Sequence, residues 1–281
     1  MRFNKAYVEI TDVCNLGCSF CHGTKREKRF MSVPEFEAAA GALRPFAEYI
    51  YLHIMGEPLL HPELSEILAV CGRLGFRVSL TTNGTLLSRR AEVLLASSAL
   101  YRVCVSLHSF EANEKQASVA QYVSEVCETG IELNKRGALF SMRLWNKGGL
   151  DSENEKIENI IASFFPPPYK ENRGGVTLAP GVFLEYGDKF EWPDISGAEK
   201  SVHFCKGLRD QIGVLCDGTV VPCCLDAEGD IALGNIFTDP VEKILASPRA
   251  VGIINGFSEG RAAENLCRTC GFAENRFGKQ M

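Results

Sequence analysis

The sequence predicts an α/β protein in which a parallel sheet curls into a partial (β/α)6 TIM-like barrel, followed by a small α+β domain. Three observations lead there. From Lys5 to about Ala179, short β-branched or aromatic runs alternate with longer helical stretches, which is the pattern of a parallel sheet with its helices outside. Six such units are too few to close an eight-stranded barrel. Beyond Tyr186 the pattern changes to hairpin signals and clustered cysteines.

In chain order, the strand candidates are KAYVEIT, YIYLHI, RVSLTTN, RVCVSL, ALFSMRLW and GVTLA. The first helix opens at Ser32-Val33-Pro34-Glu35, a capping box with proline in the first turn. Further helices follow Pro62, Leu87, Asn113 and Asp151. In FFPPPYKENRGG three prolines fix the backbone and remove donors, so this segment reads as a loop before the sixth strand. A second break, GDKFEWPDISG, places the domain boundary so that residues 1–186 form the barrel and 187–281 the second domain. There IGVLC and TVVPCC flank Asp217-Gly218, a dipeptide suited to a tight β-turn, and a helix covers about Asp239 to Ala246. So small and loop-rich a domain calls for a metal staple. In such folds the chemistry sits at the carboxyl ends of the strands.

The composition narrows the function. With 281 residues, 46% of them hydrophobic, and no run of about 18 apolar residues, a membrane span is excluded. A net charge of -5 argues against wholesale coating of nucleic acid. The amino terminus, MRFNKAYVEI, has no secretory apolar segment, so a cytoplasmic location with reduced thiols is expected. Twelve cysteines in such a chain point to metal rather than disulfides. Cys14, Cys18 and Cys21 follow the first strand with C-x3-C-x2-C spacing on one short loop. Three thiolates leave a fourth position open, which in iron–sulfur chemistry can take a substrate or cofactor; zinc is the alternative.

The triplet, with Phe20 just before its last cysteine, resembles that of the radical S-adenosylmethionine (SAM) superfamily. Later strands carry matching elements in the same order. Met55-Gly56-Glu57-Pro58 is similar to the superfamily's GGEP element, with Met55 in place of the usual first glycine. Thr82-Asn83-Gly84 follows the third strand, and Ser106 ends the fourth at the family's ribose-contact position. The resemblance implies a [4Fe-4S] cluster on Cys14, Cys18 and Cys21, with SAM chelated at the open iron and cleaved reductively to a 5′-deoxyadenosyl radical. Phe20 would lie near the adenine, Glu57 would accept from the amino group, and Arg143 would pair with the carboxylate. Structural roles for Asn83, Ser106 and Arg143 are the alternatives.

The second domain resembles the SPASM pattern in its shortened, single-cluster twitch form. Cys205, Gly218 and Cys223 match its first half, and Cys267 and Cys270 supply the closing pair. An auxiliary [4Fe-4S] cluster on Cys205, Cys223, Cys267 and Cys270 is implied, with structural zinc as the alternative. Cys224 should point away from its neighbour's face, and Cys216 reads as a buried thiol or a substitute ligand. Cys71, Cys104 and Cys127 lack metal-like spacing.

The remaining candidates are weaker. His22 to Phe30 concentrates four cations, a solvated loop or an attraction for an anionic substrate or an electron donor such as flavodoxin or ferredoxin. No catalytic base can be singled out among His53, His61 and His108, each of which has a structural alternative. Tyr186, Glu185 and Trp192 stand at the domain junction, where ligand pockets form. The expected function is a radical SAM oxidoreductase, a dehydrogenase or maturase acting on a peptide side chain or an aminocyclitol or sugar-like metabolite. An RNA-modifying or methyl-transfer enzyme and a non-catalytic cluster or zinc protein are the other readings.

Overall fold

The computed structural model describes residues 2–113 and 118–278. Its strands are β1 (Lys5–Val8), β2 (Tyr49–Tyr51), β3 (Arg77–Thr82), β4 (Leu100–Ser106), β5 (Leu139–Lys147), β6 (Lys170–Asn172), β7 (Gly175–Ala179), β8 (Val182–Asp188), β9 (Gln211–Val214), β10 (Thr219–Val221) and β11 (Gly234–Asn235). They form one sheet in the order β11-β10-β9-β1-β2-β3-β4-β5-β8-β7-β6. From β1 to β5 each neighbour is parallel, and β8 continues that series beside β5. Helices α1 (Val33–Leu43), α2 (Leu64–Leu74), α3 (Ala91–Ala96), α4 (Val119–Lys135) and α5 (Asn154–Phe164) form the crossovers. This is the partial α/β barrel that the alternation predicts.

Alternation along each strand decides what faces the helices. Ala6, Val8, Ile50, Val78, Leu80, Val103, Val105, Phe140 and Met142 join the main core with Phe36, Leu43 and Ile67 of the helices. Their strand neighbours therefore face the barrel interior. The first helix begins as expected: Ser32 accepts from the Glu35 amide, and the Glu35 carboxylate accepts from the Ser32 amide.

Two features differ from the sequence reading. The sixth parallel strand is β8, not GVTLA; GVTLA is β7, the antiparallel arm of a hairpin with β8. Both arms carry β-branched and aromatic residues, but only β8 puts Val182 and Leu184 into the core, while β7 stays half-buried throughout. Second, the predicted β9–β10 hairpin is not a separate sheet. It is antiparallel as expected, but β9 also pairs in parallel with β1, from Lys5 opposite Gln211 to Val8 opposite Val214. The cysteine-rich segment thus extends the barrel wall, and helices α6 (Val241–Leu245), α7 (Pro248–Ser258), α8 (Asn265–Arg268) and α9 (Gly271–Phe277) follow it.

Candidate functional site

The loop after β1 carries the cysteine triplet, with Cys14 and Cys21 exposed and Cys18 half-buried. Each sulfur meets an N–H donor. The Asn113 side-chain amide donates to Cys18 Sγ at 3.1 Å, that of Asn83 lies 4.0 Å from Cys14 Sγ, and the Gly23 amide donates to Cys21 Sγ at 3.4 Å. Asn113 also accepts from the Gly17 amide at 3.0 Å, which clamps the loop. Partial desolvation by the surrounding loops raises the Cys14 and Cys18 thiols above the usual range, and the neighbouring thiols add to this while their amide donors oppose it. Donors aimed at sulfur stabilise the thiolate that a metal needs. Among the described residues, no three His, Cys, Asp or Glu side chains converge tightly enough to hold one metal ion. A four-iron cluster is bound corner by corner, each thiolate on its own iron, and the spread, soft, all-sulfur set fits that group.

The loop after β2 lies against this one. Gly56 has φ +75°, and a Cβ there would stand 2.4 Å from the Thr11 carbonyl oxygen, so the position takes only glycine. The Glu57 amide donates to the Val13 carbonyl at 2.8 Å. Pro58, buried, opens a short 3-10 turn. The Glu57 side chain has protein partners of its own. It is buried, with Oε1 accepting from the Leu59 amide at 3.0 Å and the Thr82 hydroxyl at 2.8 Å, and Oε2 from the Asn83 amide at 2.7 Å. The carboxylate therefore ties the β3 loop to the β2 loop.

Burial pushes Glu57 up to about 7 against those hydrogen bonds. Its acid form is thus favoured in the folded state over the pH range where the unfolded carboxyl already ionises. Stability should fall as pH rises from about 4.5 to 7, by at most about 1.4 kcal/mol per pH unit, and level off above. Denaturation of wild type against Glu57→Gln across this range checks it: the slope should vanish in the variant, and an unchanged slope would assign it to other groups.

Asn83 sits between the two loops, donating to Asn15 Oδ1 at 3.0 Å and accepting from Thr85. Ser106 ends β4 opposite Arg143 of β5, which in turn stands opposite Glu185 of β8. Arg143 is ion-paired, with Nε 3.1 Å from Glu185 Oε2, and lies over the Trp145 ring. The Phe20 ring packs 4.8 Å from that of His108, and the Phe20 carbonyl accepts from Trp192 Nε1 at 3.0 Å. His108 Nδ1 lies 3.0 Å from the Arg143 carbonyl and 3.3 Å from the Trp145 amide, and His61 is enclosed between the Met31 carbonyl and the Glu63 amide. Tyr186 is exposed on the outer side of β8.

The four cysteines singled out in the second segment are neighbours. Burial drives the Cys223 thiol far up, followed by the charges of Cys205, Cys224, Cys267 and Cys270. Amides of Gly207 and Ala273 donate to Cys205 Sγ and Cys270 Sγ. Cys224 faces the barrel interior, where it hydrogen-bonds the Tyr7 hydroxyl and packs with Tyr7, Ile54 and Met55. Cys216 is buried and donates to the Glu9 carbonyl at 2.9 Å; Cys71, Cys104 and Cys127 are buried as well.

Sequence reasoning missed the residues that tie these parts together. Glu9 is fully buried, and both its oxygens lie 2.8 Å from Arg26 Nη2. The same carboxylate accepts from the amides of Met55 and Cys216 at 3.1 Å, joining the triplet loop, the Gly56 loop and the β9–β10 hairpin. Arg26 belongs to the basic loop. Lys28 lies 3.9 Å from Asp12 and Arg29 2.6 Å from Glu35, so three of its four cations face carboxylates rather than open solvent. The only sequence signal for Glu9 was its place on the inward face of the first strand.

A partial barrel with a three-thiol loop at the end of its first strand, and a second thiol group joined to its open edge, defines an iron–sulfur protein with two centres. Residues 8–139 match the model of the Radical SAM superfamily, and residues 205–271 match SPASM, the iron-sulfur cluster-binding domain. The chain thus carries a radical SAM domain over residues 8–139 and a SPASM domain over residues 205–271. These domains imply a SAM-binding [4Fe-4S] cluster, an auxiliary iron–sulfur cluster, and SAM itself. The chain is 31% identical over 195 residues to GTP 3′,8-cyclase of Aquifex aeolicus, covering 66% of this chain and 58% of that protein. It is 26% identical over 270 residues to the antilisterial bacteriocin subtilosin biosynthesis protein AlbA of Bacillus subtilis, covering 86% and 59%. It thus spans little more than half the length of these curated relatives. Its fold matches BtrN in complex with AdoMet and 2-DOIA at a TM-score of 0.66, 18% identity and coverage of 96% and 94%. SuiB of Streptococcus suis bound to SAM matches at 0.63 and 12%, covering 96% and 70%. No helix among the described residues is long and apolar enough to cross a membrane.

Proposed function

We propose that this chain is a radical SAM oxidoreductase that oxidises a peptide side chain or a small polyhydroxylated metabolite. When bound, the two clusters and SAM supply one-electron cleavage of SAM, hydrogen abstraction from an unactivated C–H bond, and an acceptor for the second electron. The protein's part is binding, orientation and exclusion of water. Cys14, Cys18 and Cys21 hold the first cluster, and Asn83 and Asn113 orient their sulfurs. Phe20 and Ser106 flank the cofactor, and Glu57 positions Asn83 from behind. Cys205, Cys223, Cys267 and Cys270 would hold the second cluster as the electron acceptor, and a small donor of the flavodoxin or ferredoxin kind would supply the electron for SAM cleavage at the first. One observation carries this reading: the β9–β1 pairing sets the four-thiol group against the barrel wall, with Cys224 beside Cys223 already facing the interior.

The neighbours act on both kinds of substrate, since BtrN is bound to 2-DOIA and SuiB to its precursor peptide SuiA. The RNA-directed reading loses its motivation with the pairing of the basic loop.

Cys205→Ala and Cys267→Ala should keep release of 5′-deoxyadenosine from SAM under reductant while losing roughly half the iron, one of two four-iron clusters. Iron assay and chromatography of the anaerobically reconstituted proteins measure both. No 5′-deoxyadenosine from the wild type would end the proposal.

A further inference from the structure

The barrel interior holds more positive charge than its own carboxylates balance. Lys5 and Tyr7 of β1, Tyr51 of β2 and Arg143 of β5 occupy the strand positions that alternate with core residues, so they face inward. Arg143 and Arg102 share one carboxylate, Glu185. Lys5 has no carboxylate within ion-pair distance among the described residues; its Nζ lies 5.7 Å from the centre of the Tyr51 ring. The other carboxylates nearby are taken, Asp210 by Lys206 and Glu9 by Arg26. Three cations therefore face one carboxylate in a half-buried space.

His53 supplies an independent observation. Its Nδ1 is inaccessible and has no hydrogen-bond partner, while its ring stands edge-on to Tyr7 at 5.6 Å and to Tyr51 at 6.2 Å. Burial, then the charges of Arg143 and Lys5, push it down to about 3, so it is neutral at physiological pH. An unpaired buried nitrogen and an uncompensated half-buried ammonium each cost stability that a ligand can offset.

We propose that this interior is the subsite for an anionic group of the substrate, a carboxylate or a phosphate, with Lys5 as its charge anchor and His53 Nδ1 as its hydrogen-bond partner. Tyr7 and Tyr51 form the wall against which the rest of the molecule lies. The inference rests on the oxidoreductase reading for its reaction, but not for its binding. It narrows the substrate to one that carries a negative charge near the reacting carbon, and it disfavours a cationic aminocyclitol.

The test is calorimetric titration of anaerobically reconstituted protein, loaded with SAM, with benzoate, phenyl phosphate and neutral benzyl alcohol. Their rings suit the tyrosine wall, and the two anions separate carboxylate from phosphate. The anion favoured by the site should bind at least about tenfold more tightly than the alcohol, and Lys5→Met should abolish that margin while Lys5→Arg keeps most of it. His53→Ala should weaken the anion and leave the alcohol unchanged. Equal binding of all three probes by the wild type, or an undiminished margin in a folded Lys5→Met, would overturn the proposal. Failure to release 5′-deoxyadenosine would instead remove the radical reading and leave the binding result standing.

Discussion

Cys18→Ala should strip the amino-terminal cluster and reduce 5′-deoxyadenosine release to background, a loss beyond about 100-fold. Cys18 receives the Asn113 amide at 3.1 Å, and its loss leaves two thiolates for a cluster that needs three. Asn113→Ala keeps all three ligands and removes only the donor and the clamp on Gly17, so its effect should be smaller, about 10- to 100-fold in iron affinity. Iron content, the visible spectrum after anaerobic reconstitution, and chromatography of the cleavage product give the ranking. A Cys18→Ala protein that kept its cluster and its cleavage would remove the triplet from the site.

Gly56→Ala should destabilise the fold by about 3 kcal/mol or more. The new Cβ would lie 2.4 Å from the Thr11 carbonyl oxygen and 2.9 Å from the Asp12 Cα, both backbone atoms that cannot rotate away, at a φ of +75° that side chains resist. Left-handed strain costs on the order of 1–3 kcal/mol and overpacking about as much again. Gly17→Ala is the control, since its Cβ meets nothing within 4 Å. It should change stability by no more than about 0.5 kcal/mol. Denaturant midpoints of the two variants decide the matter, and equal midpoints would mean that the two loops are free to separate.

The parts of the site that were legible in the sequence are the local ones. C-x3-C-x2-C spacing, the Gly56-Glu57-Pro58 run and the capping box at Ser32 lie within a few residues of chain, where spacing already restricts geometry. The single thiols Cys71, Cys104 and Cys127 were set apart from the metal candidates by their spacing, and all three are buried. The ties of Glu57 to Thr82 and Asn83 were not legible, because those partners stand 25 and 26 residues away. Arg26 and Arg29 were read as part of an exposed basic loop because their partners Glu9 and Glu35 are met only after the chain has folded back.

By itself, then, the sequence determined that this is a parallel α/β protein with one three-thiol and one four-thiol group, because strand alternation and ligand spacing are written within single elements. Tertiary structure alone decided that β8 rather than β7 completes the parallel series, that β9 joins β1, and that Glu9 and Arg26 bind three segments together. It also decided which cations of the interior remain without a carboxylate. The physical reason is the same throughout: hydrogen bonds between strands and charge pairing are satisfied between residues distant along the chain, and a side chain's partner depends on which backbone arrives opposite it.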